Sequence, residues 1–575
     1  MKTKITLVAL SFLFSVQTFS QAPNWQWAKA IGGIDWDEGY SIAIDVSGNV
    51  YTTGYFLETV DFDPGAGVFN LTSDGGSVDI FISKLSSSGN FVWAKAIGGT
   101  GNESGLSIAI DPAGSADIYI TGFFTGIADF DPDTGTFNLT SVGNEDIFIS
   151  KLDSSGNFVW AKAMGGIYDD VGYSLALDRG GSGDVYTTGW FTGTVDFDPG
   201  AGVYNLIADA TTDIFISKLN GSGNFVWAKA IGGAAGDIYS YSIALDNSDN
   251  VYTTGDFWGT VDFDPGAATF NLTPTGIRDI FISKIDSSGN FVWAKAMGGT
   301  DYGKGNSIAP DASGNVYASG YFYGTVDFDP GAGVFNLTSA GYEDIFISKL
   351  DGTGNFVWAK AMGGTSSSAR GMSIAIDASA NVFTAGWFEG TVDFDPGAGV
   401  FDLSEIGLSD IFISKLNGSG NFVWAKAMGG IYDDVGYSIT LDASGNAHVT
   451  GYFDSPSISF GSAIITNADT TGSTYDIFIA KLSNLITGTE HAENNNGISV
   501  YPNPATTQLI IDNGQLKIES VEIYDVLGEK VFSQAPGTKH HAPITIDVSG
   551  LKPGIYFVTV TDETGNKAVR KVVKM

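Results

Sequence analysis

Paired aspartates are the side chains of this sequence whose spacing best suits a metal ion. The string DFDP occurs six times, and residues i and i+2 of an extended strand point to the same side, so that two carboxylates can share a hard cation such as calcium. Calcium takes six to eight oxygen ligands, however, and an aspartate before Pro-Gly also stabilises a tight turn. The sequence favours the turn, and we expect no cofactor. Calcium remains an alternative at the six pairs Asp61/Asp63, Asp129/Asp131, Asp196/Asp198, Asp262/Asp264, Asp327/Asp329 and Asp393/Asp395.

A second set of candidates lies in a variable position that follows a glycine. It is occupied in turn by Tyr55, Phe123, Trp190, Asp256, Tyr321, Trp387 and Tyr452. Aromatic rings at the opening of a closed fold can stack on sugars, although aromatic residues more often belong to the core. Asp256, Trp258, Lys304 and Arg370 also depart from the pattern around them. The candidate ligand-binding residues are therefore Trp190, Asp256, Trp258, Tyr321, Trp387 and Arg370.

The materials for catalysis are few. The chain has no cysteine and four histidines, and only His448 falls among the repeats described below, so that a nucleophilic triad lacks its base. Carboxylates for glycoside hydrolysis are abundant but repeated, whereas an active site needs one unique arrangement. The sequence favours a non-catalytic binding or adhesion protein for a glycan or protein ligand. The alternative is a secreted polysaccharide-active hydrolase or lyase that uses acidic residues.

The charge distribution argues against nucleic acid or an anionic membrane as partner. The chain has 28 Lys and Arg against 64 Asp and Glu, a net charge of −36. Between residues 21 and 497, all cations but Arg179, Arg278, Lys304 and Arg370 occupy two repeated positions. Such a sequence offers no basic patch to a polyanion.

Two markers reveal an internal repeat of 65 to 67 residues. WAKA recurs at Trp27, Trp93, Trp160, Trp227, Trp293, Trp358 and Trp424, and DIF recurs at Asp79, Asp146, Asp213, Asp279, Asp344, Asp410 and Asp476. Each repeat contains four segments rich in β-branched and aromatic residues, and two Gly-Asn turns, such as 311–315 and 351–355, each join a pair of neighbouring segments. Four antiparallel strands repeated radially predict a β-propeller, in which the WAKA tryptophans pack between blades.

The ends of the repeat array predict how the propeller closes. A lone WAKA segment at 25–31 has no preceding strands, and the last repeat, 438–482, has no WAKA segment. Together they make one unit, so that the sequence predicts an all-β, seven-bladed propeller closed by its N-terminal strand. An open solenoid is the alternative. In such a ring, two kinds of acidic segment lie on the same face: the connection from the fourth strand to the next repeat, and the segment with the DFDP string between the second and third strands. Arg278 and Arg370 share that face, while Arg179 lies on the opposite face with the Gly-Asn turns.

The regions outside the repeats predict export. Residues 1–20 have the basic start and short apolar run of a signal peptide, and no stretch has the length and hydrophobicity of a membrane-spanning helix. We expect the propeller over 21–482, a linker over 483–497 and a small Ig-like β-sandwich over 498–575, where the charge becomes balanced and strand-like segments are short.

Two resemblances support this division. The unit DIFISKLDSSGNFVWAKAMGG resembles the bacterial propeller repeat called SBBP, over about residues 25–482, which implies the fold but no activity. The strings YPNP, YDVLG and LKPGIY, followed by a basic end, resemble the type A sorting domain of the type IX secretion system of Bacteroidetes. That resemblance implies a secreted or outer-surface protein that meets the type IX machinery through its C-terminal domain, which is then removed. The residues that match the sorting motifs are Pro502, Asn503, Pro504, Tyr524, Asp525, Gly528, Gly554, Tyr556, Lys571 and Lys574.

Overall fold

The computed structural model describes two compact units, Met1–Leu485 and Ile486–Met575, each considered by itself. The described residues are 23–209, 211–233, 236–484, 499–501, 505–512, 518–525, 530–534, 544–552, 554–562 and 567–574. All regular structure within these ranges is β-strand, and no helix there is long and apolar enough to span a bilayer. The predicted all-β class is confirmed. The expected signal peptide and most of the expected linker lie outside the described residues.

Each uninterrupted repeat of the first unit forms four consecutive antiparallel strands of one sheet. Their β-branched and aromatic residues favour extended backbone, and Asp, Gly and Asn end each strand. In order, the strands are Glu38–Ile44, Val50–Phe56, Asp79–Leu85 and Phe91–Gly99; Glu103–Ile110, Ile118–Phe124, Asp146–Leu152 and Phe158–Met164; Val171–Leu177, Val185–Phe191, Asp213–Leu219 and Phe225–Ile231; Ile238–Leu245, Val251–Phe257, Asp279–Ile285 and Phe291–Gly299; Gly303–Pro310, Val316–Phe322, Asp344–Leu350 and Phe356–Met362; Ser368–Ile376, Val382–Glu389, Asp410–Leu416 and Phe422–Met428.

A further four-stranded sheet combines the two ends of the repeat array. Asp434–Leu441, Ala447–Phe453 and Asp476–Leu482 follow one another, and the fourth strand is Trp25–Ile31. Trp25–Ile31 pairs antiparallel with Asp476–Leu482, with Ala28 opposite Ala480. The isolated WAKA segment therefore occupies the place that the same segment holds in the other repeats.

A short hairpin separates the second and third strands of each sheet. In two places its first strand pairs with the preceding fourth strand: Asp129 lies opposite Gly98 and Asp327 opposite Gly298, which gives sheets of six strands. The hairpin strands are Thr59–Asp61 and Asn70–Thr72; Ile127–Asp129 and Asn138–Thr140; Thr194–Asp196 and Asn205–Ile207; Val261–Asp262 and Asn271–Leu272; Thr325–Asp327 and Asn336–Thr338; Thr391–Asp393 and Asp402–Ser404; Ser457–Phe460 and Ala463–Thr466.

The hydrophobic core lies between neighbouring sheets. Ile80, Phe81 and Ile82 of the third strand are all fully buried, so that both faces of the sheet are covered. One cluster joins Ile80 and Ile82 to Ile118 and Phe124 of the next sheet. Burying large apolar side chains between sheets supplies the main favourable free energy of this unit.

The WAKA tryptophans connect consecutive repeats, in agreement with their expected role. The Trp160 ring meets Tyr119 edge-on at 6.1 Å within its own sheet. Its Nε1 donates a hydrogen bond of 3.2 Å to the carbonyl of Gly221 in the next repeat. The indoles of Trp27, Trp227, Trp293 and Trp358 donate equivalent hydrogen bonds to the next repeat, so that these tryptophans link two repeats.

A serine in each first strand links that strand to its neighbour. The N–H of Ile374 donates to Ser307 Oγ at 3.1 Å, and the N–H of Ile439 donates to Ser373 Oγ at 3.1 Å. These serines therefore satisfy backbone donors where neighbouring first strands approach one another. The equivalent bonds join Ile108 to Ser41, Leu175 to Ser107, Ile243 to Ser174, Ile308 to Ser242 and Ile42 to Ser438.

The aspartate of each DIF string is buried against a glycine. Asp344 is 3% exposed and its Oδ2 accepts a hydrogen bond of 2.8 Å from the Ala340 N–H. A Cβ built on Gly363, in the GG that follows WAKAM, would lie 2.0 Å from the Asp344 carboxyl carbon. The glycine is therefore required by a carboxyl group that occupies the space of a side chain. Burial raises the pKa of Asp344 to about 6 and that of Asp79 to about 7.

The second unit contains a three-stranded and a four-stranded antiparallel sheet that share one hydrophobic cluster, which includes Leu509, Val521, Ile523 and Val558. This arrangement is consistent with the expected small sandwich. Its strands are Ser499–Tyr501, Gln508–Asp512 and Ile544–Asp547 in one sheet, and Ile518–Asp525, Lys530–Gln534, Gly554–Asp562 and Lys567–Lys574 in the other.

Several residues of the sorting motifs have defined places in this unit. Asp525 pairs with Tyr556 across two strands, and Gly554 pairs with Lys574. The Tyr556 hydroxyl donates to the Lys552 carbonyl at 2.9 Å, and the Tyr524 hydroxyl donates to Glu522 at 2.7 Å. The backbone of Lys571 pairs with Phe557. Pro502, Asn503, Pro504 and Gly528 lie outside the described residues.

Candidate functional site

The variable positions of the repeats lie at one end of the first and second strands of each sheet. The first strand begins, and the second ends, at the same end of each sheet, because the two strands are antiparallel. Glu38 lies opposite Tyr55, Lys304 opposite Tyr321 and Arg370 opposite Trp387. The residue before each DIF string joins this end from the third strand. We call this end of the first unit the variable face.

The variable face is defined by three equivalent positions per repeat. The first and third positions differ in charge and size between repeats, whereas the second is aromatic in all repeats but the one with Asp256. The occupants are Glu38, Tyr55 and Val78; Ser104, Phe123 and Glu145; Val171, Trp190 and Thr212; Tyr239, Asp256 and Arg278; Lys304, Tyr321 and Glu343; Arg370, Trp387 and Ser409; Val435, Tyr452 and Tyr475.

One part of the variable face is a buried carboxyl surrounded by tyrosines. Glu38 is 8% exposed, and its Oε1 accepts a hydrogen bond of 2.8 Å from the Tyr55 hydroxyl. The Tyr40 ring lies 5.8 Å from that of Tyr55 and 5.1 Å from that of Tyr437. Burial raises the pKa of Glu38, and the hydrogen bonds of the tyrosines oppose that rise. We call this group the Glu38 cluster.

Another part of the variable face contains three cations, which we call the cationic cluster: Arg278, Lys304 and Arg370. Asp256 is 2% exposed and its Oδ2 accepts a 2.7 Å ion-pair hydrogen bond from Arg278 Nη1. Lys304 also acts on Asp256 electrostatically, and both cations oppose the rise that burial causes in the pKa of Asp256. A carboxylate so deeply buried requires such a partner.

Arg370 is held by a carboxylate of the preceding repeat. Its Nε donates to Glu343 Oε2 at 2.6 Å and its Nη2 donates to Glu343 Oε1 at 3.0 Å. This two-point pairing fixes the plane of the guanidinium. The same guanidinium lies 4.4 Å from the ring centre of Tyr321 and 5.0 Å from that of Trp387. Because its side chain is 36% exposed, Arg370 remains accessible from the solvent.

Lys304 has a different environment. Its Nζ lies 3.6 Å from the centre of the Tyr241 ring, and in the part of the chain that the structure describes it forms no ion pair with a carboxylate. Burial lowers the pKa of Lys304, which the charge of Asp256 partly offsets. Cation–π contact stabilises the ammonium without neutralising its charge.

The structure therefore brings together four of the six predicted ligand-binding residues, Asp256, Tyr321, Trp387 and Arg370. Trp190 borders the same group, since its ring lies 6.1 Å from Tyr239. Trp258 is 44% exposed and no contact joins it to the cationic cluster among the described residues. The sequence interpretation missed Glu38, Tyr40 and the contact of Lys304 with Tyr241. It also missed two ion pairs, Arg278 with Asp256 and Arg370 with Glu343. Three of four unrepeated cations lie side by side, which a count of charges along the chain does not reveal.

The first aspartate of each DFDP string lies in a hairpin, where its carboxylate joins the two hairpin strands. Asp327 Oδ1 accepts hydrogen bonds from the N–H of Asp329 at 3.0 Å and of Phe335 at 2.7 Å. One oxygen thus binds a neighbouring donor and a donor across the turn. The same two bonds are made by Asp61, Asp129, Asp196, Asp262 and Asp393.

The second aspartate of each string stabilises the turn itself. Asp329 Oδ1 accepts a hydrogen bond of 2.9 Å from the Gly331 N–H, two residues further on. The equivalent bonds run from Gly65 to Asp63, from Asp133 to Asp131, from Gly200 to Asp198, from Gly266 to Asp264 and from Gly397 to Asp395. All six second aspartates therefore have the role of turn residues, which is the interpretation that the sequence favours.

The calcium site left open by the sequence is not supported at these pairs. Within the described ranges, no group of three or more His, Cys, Asp or Glu side chains is arranged to hold a metal ion. Two carboxylates fall well short of the oxygen ligands that calcium takes, and backbone N–H groups already bind one oxygen of each. Calcium binding stays a prediction for the candidate ligands Asp61, Asp63, Asp129, Asp131, Asp196, Asp198, Asp262, Asp264, Asp327, Asp329, Asp393 and Asp395, none of which belongs to such a group among the described residues.

The one histidine of the first unit among the described residues is buried away from the variable face. His448 is fully buried and its Nε2 lies 3.5 Å from Asp442 Oδ2, next to a Gly-Asn turn. Burial lowers the pKa of His448 to about 4, so that the ring is neutral at physiological pH. Arg179 lies at the same end of the sheets, where its Nη1 donates to Asn247.

Comparison with known families identifies parts of both units. Residues 499–575 match the secretion system C-terminal sorting domain, and residues 226–260 match the beta-propeller repeat. The chain thus carries the SBBP-type β-propeller repeat and the type IX sorting domain whose motifs the sequence contains. The sorting domain indicates secretion to the cell surface or extracellular space through the type IX machinery.

Individual relatives are distant. An uncharacterized WD repeat-containing protein of Acanthamoeba polyphaga mimivirus is 23% identical over 80% of this chain and 38% of its own length. The regulatory protein FlaEY of Caulobacter vibrioides is 28% identical over 29% of this chain and 17% of its own. This chain therefore spans well under half of either relative. The crystal structure of Sqt1 from Chaetomium thermophilum is 9% identical, with coverage of 85% of this chain and 97% of that chain and a TM-score of 0.32.

Proposed function

We propose that this protein is a secreted, non-catalytic binding protein: a seven-bladed β-propeller that holds an extracellular glycan on its variable face. The observation that carries the proposal is the contrast within the repeats. WAKA and DIF recur almost unchanged, whereas the first and third positions of the variable face change in charge and size from repeat to repeat. The second position is aromatic in six of the seven repeats and is Asp256 in the other. Side chains that only pack a repeated scaffold have no reason to differ in this way, but a ligand contacts each repeat differently.

Contacts between the two ends of the repeat array support the ring closure that this proposal requires. Trp25–Ile31 completes the sheet of the last repeat, and the serine bonds that join consecutive first strands also join Ile42 to Ser438. The first strands of the first and last repeats are in contact. In a closed ring, every sheet is covered on both faces by a neighbouring sheet, and the repeat array has no exposed end.

The aromatic residues favour a glycan. Trp190, Trp387, Tyr321 and Tyr55 are half-buried, with part of each ring accessible. Flat rings with one open face, interspersed with hydrogen-bonding groups, suit the alternating apolar and hydroxyl surfaces of sugar rings.

The state of the titratable groups supports the proposal of a non-catalytic role. His448 is buried and neutral at the other end of the sheets, and the carboxylates of Asp256 and Glu343 are engaged by arginines. Such carboxylates are poor proton donors or nucleophiles at neutral pH.

A second candidate function is favoured by one observation, the raised pKa of Glu38 among tyrosines. A protonated carboxyl group is the general acid that a polysaccharide hydrolase requires. In that case, incubation with bound glycans would release reducing sugars, and Glu38→Gln would abolish the release. We expect no release.

A glycan array tests the binding proposal, with the mature protein recovered from the culture medium. We expect binding to a restricted set of glycans, weakened about tenfold in Trp387→Leu, since loss of a stacked aromatic costs about 1 kcal/mol or slightly more. Tyr204→Ala is the control, because Tyr204 is exposed in a hairpin, where its ring contacts Phe225 and not the variable face. Binding unchanged in Trp387→Leu, or absence of binding across the array, would contradict the proposal.

A further inference from the structure

We propose that Arg278, Lys304 and Arg370 form a subsite for a single anionic substituent, a carboxylate or a sulfate, on an otherwise neutral glycan. This inference rests on the proposed glycan-binding function and specifies its ligand. The three cations come from two first strands and the residue before a third strand, in three consecutive repeats. They stand at positions where the other repeats have uncharged or acidic residues.

The position of these cations is unusual for this chain. Between residues 21 and 497 only four cations fall outside the two repeated lysine positions, and three of them meet here. The repeated lysines have a structural role, as in Lys218, whose Nζ lies 2.9 Å from Asp184 and 4.7 Å from the Tyr186 ring. No equivalent scaffold role accounts for the cationic cluster, which is absent from the other repeats.

The local charges leave one cation uncompensated. Asp256 neutralises Arg278, and Glu343 neutralises Arg370, beside which Glu389 also lies. The charges that act on Lys304 are those of Asp256, Arg370, Arg278 and Glu343. The sum over Lys304 and these four groups is one positive charge, which the three cations share, and the exposed Glu389 acts on Arg370 from outside this group. In an acidic protein this is a local attraction for an anion.

The surroundings would strengthen that attraction. Tyr241 covers one side of the ammonium, and Tyr321 and Trp387 cover the faces of the Arg370 guanidinium. Aromatic walls exclude water and lower the local dielectric constant, so that an ion pair formed there is stronger than one on an open surface. The side chains of Arg278 and Arg370 are 40% and 36% exposed, which leaves them reachable by a ligand.

The overall charge limits the ligand to isolated anionic groups. With a net charge of −36, the protein repels a densely charged polymer such as nucleic acid or a polyuronate. One uncompensated ammonium cannot offset that repulsion. A neutral glycan with one acidic residue, by contrast, can stack its sugar rings on the aromatic residues and place its charge beside Lys304.

Titration calorimetry with the mature protein tests this inference. The probes are a neutral galactose tetrasaccharide, the same oligosaccharide ending in one glucuronic acid, the same oligosaccharide with one terminal 6-sulfate, and polygalacturonate. We expect at least one of the two singly charged probes to bind about tenfold more tightly than the neutral probe, corresponding to an ion pair of about 1.4 kcal/mol. Polygalacturonate should bind more weakly than that probe. The uronic and sulfated probes distinguish the two sources of the charge.

Variants locate the effect. Lys304→Met keeps the apolar stem on Tyr241 and removes the charge, and should abolish the preference while the affinity for the neutral probe persists. Arg179→Gln makes the same change of charge at the opposite end of the sheets and should leave the preference intact. Thermal melting of each variant verifies that it is folded.

The outcomes separate this inference from the proposal on which it rests. Equal binding of neutral and charged probes, still weakened by Trp387→Leu, would overturn the anionic subsite and leave glycan binding in place. A preference that survives Lys304→Met would likewise overturn it. Failure of every probe, together with an empty glycan array, would overturn both.

Discussion

The backbone N–H of Ile42 donates a hydrogen bond of 3.4 Å to Ser438 Oγ, a residue 396 positions further along the chain. The same kind of bond joins each first strand to the one before it, for example Ile374 to Ser307. In the proposed ring, the bond between Ile42 and Ser438 is the one that joins the last repeat to the first.

Removal of this hydroxyl should therefore destabilise the first unit as much as removal of an equivalent one. We expect Ser438→Ala and Ser307→Ala each to lower the free energy of unfolding by about 1–2 kcal/mol, because a partly buried N–H loses its acceptor. Urea unfolding measures both, and Ser419→Ala, in an exposed turn, should change it by less than about 0.5 kcal/mol. A neutral Ser438→Ala beside a destabilising Ser307→Ala would argue against closure.

The contact between Asp344 and Gly363 predicts a strong effect of a single methyl group. A Cβ at Gly363 would overlap the buried carboxyl, so that Gly363→Ala should cost about 2 kcal/mol or more. Gly180→Ala is the matched control, since its nearest neighbour is the flexible side chain of Asp178 at 3.3 Å. Equal melting temperatures for the two variants would show that the carboxyl does not occupy this position.

The buried aspartates of the DIF strings predict that stability falls as the pH rises. Burial raises the pKa of Asp79 and Asp476 to about 7 and that of Asp344 to about 6, so that the folded protein holds protons that the unfolded chain releases near pH 4. Their contribution is complete below pH 4 and is lost as the pH passes 6 to 7. Hydrogen bonds lower the pKa of Asp351 to about 2, so that its contribution to stability is lost as the pH falls from 4 to 2, outside the range in which the buried aspartates titrate.

Urea unfolding at pH 5 and pH 8 measures this dependence. We expect a lower urea midpoint at pH 8, and a smaller difference between the two midpoints in Asp344→Asn, which removes one titrating group. A midpoint that stays constant or rises with pH in the unsubstituted protein would contradict the prediction.

Calcium should not affect the melting temperature. The Asp327 carboxylate already accepts hydrogen bonds from the N–H groups of Asp329 and Phe335, and these bonds stabilise the hairpin without a cation. Thermal melting with excess calcium and with chelator should coincide. A chelator-dependent fall of several degrees would restore calcium as a ligand of the DFDP pairs.

The sequence predicts the scaffold because the scaffold is repeated. Trp93 and Asp79 recur with their neighbours, so that the strand boundaries, the buried third strand and the packing of tryptophans between repeats all follow from one pattern of residues. The hydrogen bonds to the serines of the first strands were not predicted. A small residue such as Ser307 indicates close packing, but it does not show which N–H group will donate to its hydroxyl.

The candidate site could be predicted only in part. Trp387 and Arg370 stand out because they break a pattern, but the pairing of Arg370 with Glu343 crosses from one repeat to the next, and no spacing along the chain encodes how near two sheets approach. Comparison of the residue before each DIF string across the repeats, such as Arg278 against Glu343, is the signal that could have identified the cluster.

Closure by the N-terminal strand is the claim on which the variable face depends, and an engineered disulfide tests it directly. Ala28 and Ala480 are paired across two strands, at a separation that suits a disulfide, and the natural chain has no cysteine. We predict that Ala28→Cys/Ala480→Cys forms an intramolecular bond in the monomer under mild oxidation, whereas Ala30→Cys/Ala480→Cys, two residues out of register, does not. Absence of the bond in the first variant, or its formation only between molecules, would contradict closure within one chain.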